Sequence, residues 1–220
     1  MVNLSYGPED QWHLCGASMI TSRWAVTAAH CVEGVEVDDP VARVGSNDRT
    51  AGGDVRRLSR IVSHPGYTTL PSGEVVADIA LVELDAPVHV RPVALARTAP
   101  RTGTPSRLLG WGYTCREETQ ACSRNPVAMN QLDTEVLAAT QCRTGSVDPR
   151  KELCAGDLTG TSGGCVGDSG GPQLVPGRGG RWTLTGVPSR DGGVSVACNL
   201  GIYTSVAAYR PWIEATVAKR

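Results

Sequence analysis

The chain has 220 residues and a net charge of -1, because 21 basic side chains nearly balance 22 acidic ones. This balance provides no field that would draw the protein to nucleic acid or to an anionic membrane, so neither is expected as a partner. Hydrophobic residues make up 40% of the chain and none of them is phenylalanine, so aliphatic side chains must fill most of the core of one large or two small β domains.

Short β-branched or aliphatic runs recur between turn-forming residues, and this pattern predicts a β-barrel or a sandwich. In chain order, the predicted strands are residues 14–20, 24–27, 41–44, 58–62, 79–84, 107–109, 132–137, 182–187 and 201–206. Residues 93–105 are rich in proline, glycine and small side chains, and are interpreted as the connection between two β halves. The Gly-rich stretch 176–180 is typical of a surface hairpin. Only the last segment, from residue 206 or 207 to 218, has apolar residues at helical intervals.

The eight cysteines favour a disulfide framework and therefore an oxidising compartment. No C-x-x-C pair or Cys/His cluster has the spacing of a structural zinc site. A cytosolic protein with buried thiols is the alternative, and the cysteine count alone does not fix the pairing. Residues 1–4 lack the basic start and apolar stretch of a signal peptide, so we expect that segment to lie upstream.

The segment 167–172, with the sequence GDSGGP, is the most informative hexapeptide. A serine flanked by glycines fits a tight turn that exposes its hydroxyl group and lets backbone N–H groups converge. A serine nucleophile needs a base near pKa 7, and His30 follows a strand of small residues and precedes a cysteine. The imidazole needs a buried carboxylate, and Asp78 opens an apolar run. A core histidine, a strand-capping aspartate and a turn serine are the alternatives, but all three together favour a catalytic set.

Three blocks, AAHC at 28–31, DIAL at 78–81 and GDSGGP at 167–172, resemble the signature blocks of the chymotrypsin-like serine proteases, in the family's order. The likeness extends from LCGAS at 14–18 through GWG at 110–112 to YRPWI at 209–213. It implies an all-β fold of two six-stranded antiparallel barrels with a C-terminal helix and the active site in the cleft between them. The barrels are expected at about 1–95 and 106–205, and the helix at about 206–220, within one protease domain spanning 1–220.

The resemblance also implies the role of each residue. Ser169 would attack the scissile carbonyl, His30 would move the proton and Asp78 would orient His30. The backbone N–H groups of Gly167 and Ser169 would bind the oxyanion, and Ser189 matches the family's serine beside the aspartate. The family pattern pairs Cys15 with Cys31, Cys142 with Cys154 and Cys165 with Cys198, which leaves Cys115 for Cys122.

The expected specificity pocket departs from the trypsin pattern. Gly163, followed by Gly164, stands where trypsin has its pocket-floor aspartate, so trypsin-like cleavage is not the default. Gly201 matches the glycine that keeps one wall open. Arg190 and Asp191 stand where an aromatic residue and a glycine usually line the other wall. An apolar or medium-sized side chain is the favoured substrate residue, and recognition of a basic residue at the rim is the competing hypothesis.

A second departure concerns activation. Family members free an apolar N-terminus whose ammonium group pairs with the aspartate next to the serine, here Asp168. In the chain as it stands, Asp168 is expected to turn towards His13, which matches the histidine that holds this aspartate in family zymogens. The oxyanion hole would then be malformed.

The function that follows is a secreted serine endopeptidase that acts as a monomer on peptides or proteins, is open to protein inhibitors, and needs no cofactor or metal. A catalytically silent homologue that serves as a binding module is the alternative. An α/β-hydrolase is disfavoured because its triad runs Ser, Asp, His along the chain. Asp48 and Asp54 would suit a calcium loop, but a solvated turn is favoured.

Overall fold

The computed structural model describes residues 1–6, 12–37, 40–114, 125–142, 147–158, 163–192, 198 and 200–219. It contains strands, one α-helix and short 3₁₀ turns at Ala139–Gln141 and Arg178–Gly180. The strands are β1 (Val2–Tyr6), β2 (Trp12–Met19), β3 (Trp24–Thr27), β4 (Val41–Val44), β5 (Asp54–Ser63), β6 (Thr68–Thr69), β7 (Val75–Val76), β8 (Ala80–Leu84), β9 (Ala94–Leu95), β10 (Pro105–Gly110), β11 (Asn130–Leu137), β12 (Glu152–Gly156), β13 (Gln173–Pro176), β14 (Trp182–Asp191) and β15 (Gly201–Ser205).

The first half of the chain closes into a six-stranded antiparallel barrel in the order β1-β2-β3-β8-β5-β4, with β4 returning to β1. Strands β3 and β8 are almost wholly buried, which explains their nearly continuous apolar sequences WAVT and ALVEL. They pair in register, with Trp24 opposite Glu83 and Thr27 opposite Ala80. This pairing places the residues that follow β3 next to those that precede β8.

The second half forms another six-stranded ring in the order β13-β10-β11-β12-β15-β14, closed by pairing between β13 and β14. The predicted architecture of two antiparallel barrels is therefore confirmed. The connection between them is not wholly irregular, because β9 adds to the edge of β14 as a parallel strand. A two-residue strand has too little periodicity to be recognised in the sequence.

Helix α1 (Val206–Val217) lies where the apolar spacing predicts a helix. Val206, Tyr209 and Ile213 are buried along its inner face. The side chain of Arg210 donates to the carbonyl of Leu95 at 2.8 Å, which joins the helix to the connection between the barrels. Among the described residues, no helix has the length and apolar character needed to cross a membrane.

Three disulfides agree with the family pairing: Cys15–Cys31, Cys142–Cys154 and Cys165–Cys198. Each joins segments that are close in the fold but 12 to 33 residues apart in the chain. Such crosslinks stabilise a domain mainly by restricting its unfolded state, by about 2–4 kcal/mol each. The predicted pair Cys115 and Cys122 lies outside the described residues.

Candidate active site

A buried carboxylate organises the first part of the site. Asp78 Oδ1 accepts the backbone N–H of His30 at 2.9 Å, and Asp78 Oδ2 lies 2.7 Å from Nδ1 of the same histidine. Ser189 Oγ donates to Oδ2 at 2.5 Å, and Thr204 Oγ1 donates to the backbone carbonyl of Asp78 at 2.8 Å. His30 and Asp78 come from the first barrel, whereas Ser189 and Thr204 come from the second. The carboxylate therefore lies at the seam between the barrels.

Local backbone geometry fixes where Asp78 points. The preceding residue, Ala77, has a φ of 52°, which turns the chain sharply immediately before β8. His30 follows β3, the strand that pairs with β8, so the two side chains meet at one end of that pair. Asp78 is 1% exposed, which means that its hydrogen-bond donors must come from the protein rather than from water.

The pKa of Asp78 reflects two opposing effects. Burial raises it, but the hydrogen bonds and charge of His30, with the hydrogen bond from Ser189, outweigh burial and hold the pKa below its ordinary value. The carboxylate is therefore ionised at neutral pH and accepts a proton-bearing Nδ1. In neutral imidazole, that tautomer leaves a lone pair on Nε2. His30 is thus arranged as a base directed through Nε2.

Ser169 belongs to the second barrel but is tied to both halves. Its carbonyl accepts the N–H of Gly16 in β2 at 2.8 Å, while the next residue, Gly170, donates to the carbonyl of Pro188 in β14 at 3.1 Å. Gly170 has a φ of 74°, and a Cβ there would lie 2.2 Å from Thr27 Oγ1. Only glycine combines this conformation with so close an approach. The serine turn is therefore wedged between the barrels.

The structure does not join all three predicted catalytic side chains by hydrogen bonds. Within the described part of the chain, Ser169 Oγ makes no hydrogen bond to His30, whose Nε2 lies 3.6 Å from Cys31 Sγ. Catalytic hydrogen bonds are often long in unliganded enzymes and shorten when substrate binds. His30 and Asp78 are thus in contact, and Ser169 lies in the cleft beside Ser189.

The N–H of Gly167 is directed by the hydrogen bond on the other side of its peptide. The carbonyl of Val166 accepts the N–H of Tyr113 at 2.9 Å. A trans peptide points its N–H away from its carbonyl, so the Gly167 N–H faces away from Tyr113. Gly167 itself has a φ of 96°, a conformation that favours glycine.

The N–H of Ser169 is directed in the same way, because the carbonyl of Asp168 accepts the N–H of Gly171 at 3.0 Å. Among the described residues, neither this N–H nor that of Gly167 donates to a protein group. Two unused donors next to a serine hydroxyl are the elements of an oxyanion hole.

A cavity of about 330 Å³ opens beside Ser169. Its described lining consists of Gly164, Cys165, Val166, Asp168, Ser169, Pro188, Ser189, Arg190, Asp191, Cys198, Gly201, Ile202 and Tyr203. Five of the six predicted substrate-binding residues therefore line this cavity: Gly164, Ser189, Arg190, Asp191 and Gly201. Gly163 is the exception, since the chain reaches the cavity one residue later, at Gly164.

The Arg190 guanidinium is held by Glu152, a residue that sequence reasoning missed. Its Nη1 and Nη2 atoms donate to the two Glu152 carboxylate oxygens at 2.6 and 3.1 Å, and Nη1 also donates to the carbonyl of Val75 at 3.3 Å. The pair is largely buried, with side chains 16% and 11% exposed. An arginine at a normally aromatic position was the only signal in the sequence that a buried acid would accompany it.

Asp168 does not turn to His13, which corrects the expectation. Its two carboxylate oxygens accept the N–H groups of Gly112 and Cys165, both at 2.9 Å. His13 instead places its Nε2 2.6 Å from the carbonyl of Gly167. The Asp168 carboxylate packs directly against Gly112, and a Cβ at that glycine would collide with the carboxylate carbon. The two backbone N–H groups already supply hydrogen-bond donors to both carboxylate oxygens. The expectation of a malformed oxyanion hole depended on that contact.

Asp168→Asn should become more stable relative to the parent protein as the pH rises. Burial raises the pKa of Asp168, and its two backbone hydrogen bonds offset this only in part. The folded state therefore holds the proton more tightly than the unfolded state, so ionisation costs stability as the pH rises from 3.8 through the folded pKa. Each unit of upward shift corresponds to about 1.4 kcal/mol. Urea unfolding of both proteins across this pH range measures the difference.

Asp133→Asn is the matched control, because the exposed Asp133 bonds to Arg107 and its pKa is lowered. Its stability difference from the parent should change with pH in the opposite direction and by much less. A pH-independent difference for Asp168→Asn would show that the carboxylate does not titrate abnormally.

Potential metal ligands form a single close group among the described residues. The one close group comprises Cys15, His30 and Cys31, and its two sulfur atoms form a disulfide. Of the residues considered for calcium, Asp48 accepts hydrogen bonds from Thr50 and Ala51, and Asp54 pairs with Arg56. None of these groups forms an evident cation site.

Comparisons with known proteins identify the family of this chain. Residues 1–213 match the trypsin family. "Serine protease 1" of Rattus norvegicus is 33% identical over 94% of this chain and 81% of its own length. "Transmembrane protease serine 11G" of the same species is 32% identical over 92% of this chain and 49% of its own length. The structure of neuropsin, a serine protease expressed in the limbic system of mouse brain, superimposes with a TM-score of 0.82 and 25% identity, covering 98% of this chain and 93% of that one. With both barrels and the family match in place, the chain belongs to the trypsin family of serine proteases.

Proposed function

We propose that the chain is a secreted serine endopeptidase that uses Ser169 as nucleophile, His30 as base and Asp78 as its orienting carboxylate. The observation that carries this proposal is the buried Asp78 carboxylate, which accepts hydrogen bonds from His30 and Ser189 at the seam that also holds Ser169. A surface histidine would not need such a partner. The protease names of the relatives support the same activity.

In the proposed reaction, His30 Nε2 takes the proton of Ser169 Oγ as that oxygen bonds to the substrate carbonyl carbon. The carbonyl oxygen becomes an oxyanion, which accepts the N–H groups of Gly167 and Ser169. His30 then gives the proton to the leaving amine as the C–N bond breaks, forming an acyl-enzyme. A water molecule, deprotonated by His30, then attacks the acyl carbon. The bond to Ser169 Oγ breaks, His30 returns the proton to that oxygen, and the carboxylic acid product is released. Asp78 stays ionised and stabilises the imidazolium form of His30.

The substrate residue before the cleaved bond is proposed to enter the cavity beside Ser169. Gly164, Gly201 and Tyr203 all line it, and a Cβ at either glycine would contact the Tyr203 side chain. This lining suits an apolar or medium-sized side chain. Asp191 stands opposite Gly201 in the β14–β15 pair and is the residue that would recognise a basic side chain instead.

Secretion is supported by the three disulfides, which form and persist in oxidising compartments. The bonds Cys15–Cys31 and Cys165–Cys198 both lie close to proposed catalytic residues. A reducing compartment would therefore remove crosslinks on both sides of the cleft.

The test is to incubate the protein with a fluorophosphonate probe and locate the adduct by mass spectrometry, alongside cleavage of a casein substrate. We expect the adduct on Ser169 and loss of casein cleavage once it forms. The same chain unfolded in urea should remain unlabelled, because an isolated serine hydroxyl is a weak nucleophile. No labelling of the folded chain would favour the binding-module alternative, and ester hydrolysis without casein cleavage would also count against an endopeptidase.

A further inference from the structure

Behind the serine turn, His13 of the first barrel contacts the backbone of the second barrel and is itself contacted by Asn3. The Nε2 atom of His13 lies 2.6 Å from the carbonyl oxygen of Gly167, and its Nδ1 atom contacts Oδ1 of Asn3. Asn3 is fully buried in β1, and its Nδ2 donates to the carbonyl of Arg49 at 3.3 Å. The imidazole is therefore held between a fixed amide and the residue before Asp168.

The proton on the imidazole is determined by its partners. A carbonyl oxygen only accepts, so the Gly167 contact requires a hydrogen on Nε2 of His13. Burial lowers the pKa of His13, against the raising effect of the bond to Gly167, so the neutral ring is favoured. A neutral ring with hydrogen on Nε2 has only a lone pair at Nδ1, and the Asn3 atom there is Oδ1, which also only accepts because Nδ2 donates to Arg49. The Nδ1 contact is therefore a hydrogen bond only in the protonated ring, whereas the Nε2 bond to Gly167 forms in both protonation states.

Gly167 needs such a restraint. Glycine has wide conformational freedom, and Gly167 adopts a φ of 96° at the point where its own N–H must face the cleft. Backbone donors hold the carbonyls of Val166, Asp168 and Ser169. Among the described residues, the carbonyl of Gly167 depends on a side chain, that of His13. The N–H of the same peptide, that of Asp168, donates to the carbonyl of Cys165 at 2.9 Å. Losing the His13 bond therefore leaves the peptide between the two proposed oxyanion donors held on one side only.

We propose that His13, supported by Asn3, is a positioning residue that holds the Gly167 peptide in the orientation required to stabilise the oxyanion. This inference rests on the proposed peptidase activity. It gives His13 a part in turnover, which differs from a role in restraining the Asp168 carboxylate. In the structure, Nε2 of His13 is bonded to Gly167, and both carboxylate oxygens of Asp168 accept backbone N–H groups.

The first test compares His13→Ala with His13→Gln in steady-state kinetics on one peptide substrate. His13→Ala should lower kcat by about 10- to 100-fold with little change in KM, because the oxyanion exists only beyond the ground state. His13→Gln should recover much of this loss, since its amide N–H can reach the same carbonyl. His64→Gln is the control, as His64 packs against Tyr209 and Trp212, and its kcat should stay within about twofold of the parent. Equal losses in His13→Ala and His64→Gln would overturn the proposal.

Backbone amide NMR tests the same inference without turnover, so that an inactive protein does not hide the answer. His13→Ala should shift the amide resonances of Gly167 and Ser169, and His13→Gln should shift them less. His64→Gln should leave both resonances in place. Unchanged Gly167 and Ser169 resonances in His13→Ala would disprove the positioning role. The two proposals can also fail separately. If His13→Ala shifts these resonances but the parent protein neither cleaves casein nor reacts with the probe, the result counts against the peptidase activity alone.

Discussion

Ser169→Ala is expected to lower kcat for casein or a peptide amide by about 10⁶-fold while the protein stays folded. The substitution removes the Oγ atom that forms the acyl-enzyme, so no alternative nucleophile of comparable position remains. The backbone bond from Gly16 to the carbonyl of Ser169 does not involve the hydroxyl, and the serine turn should therefore keep its place. Initial rates at saturating substrate, with the thermal midpoint of both proteins, measure the effect.

The matched double variant sharpens this test. Adding His30→Ala to Ser169→Ala should cost almost nothing more, because a base without its nucleophile contributes little. Independent, additive losses would mean that the two residues do not act as one unit. A loss of less than about tenfold in Ser169→Ala would place the nucleophile elsewhere.

Asp78→Asn should lower kcat by about 10⁴-fold with little change in the fold. One amide oxygen can still accept the backbone N–H of His30, but an NH₂ group would replace the oxygen that faces Nδ1 and Ser189 Oγ. The amide would then donate to Nδ1 and move the imidazole proton to Nε2, where a lone pair is needed. Kinetics between neutral and alkaline pH measure the loss.

Asp133→Asn controls for the removal of a negative charge, since Asp133 lies on the surface and bonds to Arg107. Its kcat should match that of the parent. If Asp78→Asn kept more than about a tenth of the parent activity, orientation of His30 by this carboxylate would not be essential.

Local sequence was sufficient where an element depends on its own residues. Strands β3 and β4 lie at the predicted positions, because each is a short apolar run between turn-forming residues. Strands β12 and β13 were not predicted, because neither is an apolar run of this kind. The first reads ELCAG, with little β-branching, and the second begins at Gln173, a polar residue that is nevertheless fully buried. Their burial is imposed by the strands on either side of them.

The candidate site divides in a similar way. His30, Asp78 and Ser169 lie in short motifs that the sequence displays directly. The contact between His13 and Gly167 spans 154 residues, and the pair of Arg190 and Glu152 spans 38. Neither member of these pairs has a local pattern that names its partner. Tertiary packing brings these residues together. The contact of His13 with Gly167 and the pairing of Arg190 with Glu152 therefore became apparent only in the fold.

The order in which the barrels occur along the chain bears on how such a protein is made. The first barrel carries His30 and Asp78, while the residue that would attack substrate arrives with the second, and its turn is wedged against β2 and β3 of the first. Domains emerge and fold from the N-terminus during synthesis. A nascent chain that has completed only its first half therefore possesses a base without a nucleophile. Under the proposed mechanism, a ribosome carries a chemically inert intermediate until nearly the whole polypeptide has been translated.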